Sequence, residues 1–151
     1  MHAVRIYEIP NCKMVSSKIG MFGDGSLESF DAWFSTLPRG IHPKDYLFFD
    51  TSIEDNHGFR WLYLYEAGMS IPSEFSVIDF QGGLYAVVTD IDEQTDMAAL
   101  YEETDAFLLK NNLERDTSRP VLGNIITSPS AKEILGYLQM NHWIPIAKKK
   151  Q

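Results

Sequence analysis

Phe59-Arg60-Trp61-Leu62-Tyr63-Leu64-Tyr65-Glu66 alternates with period two. In an extended chain, Phe59, Trp61, Tyr63 and Tyr65 fall on one face, and Arg60, Leu62, Leu64 and Glu66 on the other. Aromatic enrichment and strict alternation together predict a β-strand over residues 59–66. Leu62 and Leu64 suffice to anchor that strand to covering helices, which leaves the aromatic face surplus to ordinary core needs. Flat rings with hydrogen-bonding tips suit an amphipathic ligand pocket, and they attract cations over their π faces. The same face also suits a second hydrophobic core or a dimer seam.

Working upstream, Glu54-Asp55-Asn56-His57-Gly58 reads as an acidic loop, and Tyr46-Leu47-Phe48-Phe49-Asp50 as a second short strand that adds Phe48 to the candidate pocket. Before it, Leu27, Phe30, Phe34 and Leu37 recur at helical spacing, with Trp33 widening the stripe; Ser26 is the expected cap, and Pro38 and Gly40 the stop. From Met14 to Met21, Met14-Val15-Ser16-Ser17-Lys18-Ile19 reads as an earlier short strand, which Gly20, Gly23 and Gly25 break. The turn Gly23-Asp24-Gly25-Ser26 could receive an anion at a helix start, or be a simple capped turn.

Downstream the plan repeats. Residues 75–80 and 84–89 are strand-like on either side of Gly82-Gly83, which reads as a bulge or bend. A helix starting at Asp92 or Thr95 carries Met97, Leu100, Tyr101, Phe107 and Leu108, and Asn111-Asn112 closes it. Residues 121–126 and 137–146 are further strands. Asp31-Ala32-Trp33-Phe34 in the first helix is echoed by Asp105-Ala106-Phe107-Leu108 in the second, and Pro43 and Pro120 follow the two helices. The expected fold is therefore α+β: one domain over 1–151 built from duplicated βαββ units, about 1–70 and 71–151. Antiparallel strands would carry two helices on one face and leave a ligand saddle between the halves.

The last strand alternates too. Leu138, Met140, Ile144 and Ile146 fit a core face, whereas Tyr137 and Trp143 share the other with Gln139 and Asn141. Asn124, in an otherwise apolar strand, adds a hydrogen-bonding group or marks a bulge beside Gly123. Glu66 and Asp50 end neighbouring strands. Either could select a cation or, with its pKa raised by burial, act as a general base; either could equally be solvent-exposed. Glu102 and Glu103 are adjacent on a helix, so at most one faces inward.

Composition narrows the classes. The chain has 151 residues, 44% hydrophobic and 13% aromatic, enough for one domain and unlike a disordered segment. Thirteen basic against 21 acidic residues give a net charge of −8, and only Lys148-Lys149-Lys150 is a basic run, so direct nucleic-acid binding is not expected. No apolar run approaches a membrane span, and no secretory signal is visible. A lone Cys12 fits a reducing compartment, and the cytoplasm is the expectation. His2, His42, His57 and His142 lack ligand-type spacing, no nucleophile elbow or phosphate-cradling lysine loop is present, and neither a metal nor a nucleotide cofactor follows from the sequence.

Residues 75–87, with Gln81-Gly82-Gly83-Leu84-Tyr85-Ala86-Val87, resemble the Gly-Gly–x–Tyr–Ala–Val strand of the gyrase-inhibitor-like, effector-binding domain family. Tyr65-Glu66-Ala67-Gly68-Met69 and the terminal Trp143-Ile144-Pro145-Ile146 are similar to family segments in the same order. The resemblance spans nearly the whole chain and implies the ligand-sensing module of AraC- and MerR-type regulators, here without a DNA-binding domain. It implies a pocket for lipophilic or cationic compounds and, in some relatives, hydrolysis of cyclopropane-bearing toxins. Two positions depart from the family. Gln81 replaces a proline, and Gly123 stands where many relatives carry a buried glutamate, so Glu66 or Glu102 would have to supply the charge. The expected function is small-molecule binding through Phe48, Trp61, Tyr63, Tyr65, Glu66, Glu102, Asn124, Tyr137 and Trp143. The alternatives are a hydrolase using Glu66 and Tyr65, and a module that docks on a protein partner or a second copy.

Overall fold

The computed structural model describes residues 2–21, 23–38, 46–50, 58–92 and 94–150. The acidic loop at Glu54-Asp55-Asn56-His57, together with Gly40, Pro43 and the side chain of Asp50, lies outside the described residues. In chain order the elements are β1 (Arg5–Ile9), β2 (Cys12–Ser16), α1 (Ser26–Phe34), β3 (Tyr46–Asp50), β4 (Phe59–Leu64) and β5 (Ser76–Phe80). They continue as β6 (Gly83–Ile91), α2 (Met97–Lys110), β7 (Leu113–Arg115), β8 (Leu122–Ile125), α3 (Pro129–Leu135) and β9 (Gln139–Lys148).

The chain forms two compact units: residues 11–81, and residues 1–10 together with 82–151. Within the first the strand order is β3-β4-β2-β5; within the second it is β1-β6-β9-β8, with β7 beside β9. Every pairing inside the units is antiparallel, so the fold is α+β. The two orders superimpose in sequence logic. β2-α1-β3-β4 corresponds to β6-α2-β8-β9, and each first strand has one further neighbour, β5 on β2 and β1 on β6. The expected second half at 71–151 includes β5, but β5 pairs with β2 from Cys12↔Phe80 to Ser16↔Ser76 and lies in the unit of residues 11–81.

Both helices cover the face that their hydrophobic stripes dictate. Leu27, Phe30 and Phe34 of α1 are buried with Val15, Trp61, Tyr63 and Phe75. Leu100 and Leu108 of α2 are buried with Ala86, Val88, Ile144 and Ile146. The echoed tetrapeptides hold equivalent places: Trp33 and Phe107 are half-buried, and Phe34 and Leu108 are core. Each buried Leu or Phe contributes about 1.5–3 kcal/mol.

Caps differ from the expectation by a residue or more. Gly25 caps α1 and Ser26 is its first residue. Asp96 caps α2, accepting from the Ala99 N–H at 3.2 Å. Asn111 ends α2, and Asn112 adopts the left-handed conformation (φ 58°). The Gly82-Gly83 step is forced by close approach. A Cβ on Gly82 would stand 1.9 Å from the Ile9 carbonyl oxygen, and one on Gly83 2.6 Å from Arg119 Nη1.

Candidate functional site

Among the residues expected to line a pocket, those of residues 11–81 fall mainly into the core beneath α1. Trp61 is 7% and Tyr63 3% exposed. Tyr63 stacks on Phe34 with ring centres 5.4 Å apart, and Trp33 meets Tyr63 edge-on at 6.0 Å. Phe48 is half-buried and stacks on Trp61 at 6.0 Å, and Tyr65 is partly buried against the same cluster. The expectation that Leu62 and Leu64 face the helices is reversed. α1 carries an aromatic stripe, and the larger apolar area of Trp61 and Tyr63 is what it buries. Leu64 on the opposite face is 44% exposed.

An open cleft of about 500 Å³ is lined by Asn11, Cys12, Lys13, Asp79, Phe80 and Gln81. None of the expected site residues lies there. Its Lys13–Asp79 ion pair, at 3.1 Å, is exposed and contributes little to stability. Burial pushes the Cys12 thiol pKa up, away from nucleophilic character at neutral pH.

A different constellation occupies the sheet of the unit formed by residues 1–10 and 82–151, on the face away from α2. Strand register arranges it in adjacent rows. Tyr7 pairs with Tyr85, and Tyr85 with Pro145. The next row runs Arg5, Val87, Trp143, Leu122, and the one beyond runs Thr89, Asn141, Asn124. The Trp143 Nε1–H donates to Asn124 Oδ1 at 2.8 Å, which fixes both side chains. Tyr7 lies 5.5 Å and Tyr85 6.0 Å from the Trp143 ring. Arg5 reaches across to Thr89 Oγ1 (2.8 Å) and Asn141 Oδ1 (3.2 Å), and the Thr89 hydroxyl donates to the same Asn141 oxygen at 2.8 Å. Asn124 and Asn141 are buried, Arg5, Thr89 and Trp143 are half-buried, and Tyr7 is exposed. The partly exposed rings of Tyr7 and Trp143, inclined at 40° to each other, thus border a row of fixed polar groups.

Arg119 closes one end of this face. Its guanidinium lies 4.8 Å above Tyr85, donates to the carbonyls of Leu84 and Ile146 at 3.0 Å each, and pairs with Asp116 at 2.9 Å. Hydrogen bonds from Ser118, with the Arg119 contact, hold the Asp116 pKa down at about 2.

The expected acids do not join this site. Glu66 lies exposed just beyond β4, and its carbonyl accepts the Met69 N–H. Glu102 is exposed on α2, while its neighbour Glu103 binds the backbone N–H and ring of His2, and these bonds lower its pKa. Tyr137 is half-buried between α3 and β9. On the α2 side, His142 approaches Asp90 at 3.4 Å and meets the Tyr101 ring edge-on. The turn before α1 is filled from within: Asp24 takes the N–H groups of Met21 and Ser26, and Glu28 those of Gly23 and Gly25. Two carboxylates therefore occupy the donors that an anion would use.

Arg5, Tyr7, Tyr85 and Thr89 were not foreseen as site residues. The alternation Val4-Arg5-Ile6-Tyr7-Glu8-Ile9 was a readable strand signal, and Tyr85 and Thr89 share one face of a predicted strand with period two. Among the described residues no group of three or more His, Cys, Asp or Glu side chains is placed to hold a metal, and no helix is long and apolar enough to cross a membrane.

No family model matches the sequence, and no curated protein is similar to it. Solved structures share its fold. The crystal structure of the EcmrR C-terminal domain matches with a TM-score of 0.61 at 12% identity, over 98% of this chain and 99% of that one. The EcmrR chain in a cryo-EM complex with DNA matches with a TM-score of 0.62 at 11% identity over 97% of this chain, which spans 58% of that longer chain. A hydrolase from Listeria innocua matches with a TM-score of 0.65 at 10% identity, over 95% of this chain and 91% of its own.

Proposed function

We propose that this chain is a cytoplasmic small-molecule binding protein of the gyrase-inhibitor-like, effector-binding kind, acting without direct nucleic-acid contact. Its ligand stacks on Trp143. One observation carries the reading: Trp143 is fixed by the 2.8 Å bond to Asn124, flanked by Tyr7 and Tyr85, and only half-buried. A purely structural tryptophan would gain more by full burial, whereas a recognition ring needs a rigid, accessible face. The fold shared with the EcmrR C-terminal domain supports the reading as an analogy.

A thermal-shift screen of neutral lipophiles, aromatic cations and aromatic acids tests it, with mass spectrometry on each hit. A ligand at a hundredfold its Kd adds ~2.7 kcal/mol, which raises Tm by roughly 5–10 °C in a chain this size. Trp143→Ala should abolish the shift while keeping the cooperative transition. No shift from any class would overturn the proposal, and conversion of a hit over many turnovers would make the protein a hydrolase rather than a binder.

A further inference from the structure

We infer that the ligand of this site carries an anionic group, a carboxylate or its equivalent, which Arg5 receives while the apolar part rests on Tyr7 and Trp143. The inference rests on the small-molecule reading above and specifies its ligand. Arg5 is half-buried, and both of its hydrogen-bond partners, Thr89 Oγ1 and Asn141 Oδ1, are neutral oxygens. Among the described residues Arg115 has Asp105 at 2.8 Å, Arg119 has Asp116 at 2.9 Å and Lys13 has Asp79 at 3.1 Å, whereas Arg60, like Arg5, meets a neutral oxygen, the Ser16 hydroxyl at 3.3 Å; Arg5 differs from Arg60 in lying beside the Tyr7 and Trp143 rings. A partly desolvated cation facing only neutral oxygens is electrostatically uncompensated.

The surrounding hydrogen bonds point the same way. Asn124 Oδ1 is occupied by Trp143, and Asn141 Oδ1 by both Thr89 and Arg5. Thr89 Oγ1 accepts from Arg5 and donates onward. Each acceptor of the polar row is therefore already engaged within the row, whereas the Nδ2 groups of both asparagines and the Nε and Nη1 of Arg5 meet no acceptor among the described residues and supply N–H donors in excess. No residue of this face in β1, β6, β8 or β9 is Asp or Glu. Surplus donors beside an unneutralised guanidinium match a planar anion, which a guanidinium can bind through two parallel bonds. The Arg5 guanidinium lies 5.8 Å from the centre of the Tyr7 ring, which places charge and stacking surface within one small ligand.

Isothermal titration with three isosteric probes tests this: 2-naphthoate, 2-naphthylmethanol and 2-naphthylmethylammonium. The naphthoate should bind roughly tenfold or more tighter than the ammonium. Arg5→Met should weaken the naphthoate far more than the alcohol and bring the two to about the same affinity, because the naphthoate alone loses a charge partner. An ammonium that binds as tightly as the naphthoate to the wild-type protein overturns the inference while leaving the small-molecule reading intact; this comparison does not depend on the variant folding. Binding of none of the three overturns the inference as well, and a blank in the broader screen would then remove the small-molecule reading with it.

Discussion

Asn124 holds the Trp143 indole through its only side-chain acceptor, so its loss reaches further than one bond. Asn124→Ala should destabilise the protein by about 1–3 kcal/mol in urea unfolding, because the half-buried Nε1–H loses its partner and the ring its orientation. Trp61→Ala should behave differently from Trp143→Ala: a ring 7% exposed in the α1 core should cost about 3–5 kcal/mol on truncation and leave ligand affinity in the folded fraction unchanged. Asp116 gives a pH prediction. Its folded pKa, about 2, lies below its unfolded value, so its contribution is full above about pH 4 and is lost as pH falls toward 2. Carboxyl-carbon NMR should show it titrating near 2, and Asp116→Asn should remove that part of the acid dependence. At this level the sequence was partly legible. Asn124 and Trp143 could be picked out, since a lone amide in an apolar strand and an aromatic on a polar face are local patterns. Arg5 and Thr89 could not, because their pairing joins residues 84 apart in the chain.

The helices and long strands were legible because their patterns are local. The β3 bounds, the start of β4 and the core positions of α1 and α2 follow directly from period and spacing. What failed was the assignment of faces on β4. Alternation divides a strand into two sides but does not say which side a helix covers, and here the aromatic stripe of α1 took the aromatic side. Phe30 is fully buried and meets Phe34 and Phe75 edge-on at 5.7 and 5.0 Å. Phe30→Ala should cost about 3–5 kcal/mol and lower Tm accordingly in calorimetry. β1 was missed although its alternation is a strand signal, and β7 and α3 escaped the sequence reading because little apolar surface is buried in any of the three. β7 has three residues, α3 has none buried, and β1 shows Ile6 and Tyr7 at 40% and 43% exposure. α3 instead owes its ends to Ser128, Pro129 and the left-handed Gly136.

The duplication was visible as an order of elements, and the main strands of the two units run in matching order, β3-β4-β2-β5 against β1-β6-β9-β8 read from the other end, with β7 added beside β9. Among the described residues β7 and α3 have no counterpart in the unit of residues 11–81, and a further asymmetry lies in where the outermost strand comes from. The unit of residues 11–81 takes β5, which closes it from behind, whereas β6 is flanked by β1 from the front of the chain, with Arg5↔Val87 and Ile9↔Gly83 as the limits of the pairing. Deleting residues 2–10 should therefore expose the amides of β6 to hydrogen exchange and leave those of β2 and β4 protected, damage at a distance of about 80 positions from the cut. The loop closed by that pairing is long, and its entropy must be met before β1 gains anything. On a ribosome the order matters as well. Residues 11–81 can pair as soon as they emerge, but β1 has to wait, unpaired, for β6 to follow it out. Its Arg5, Tyr7 and Glu8 face water during that wait, and the charges on so short an edge are what keep it from adding to another nascent chain.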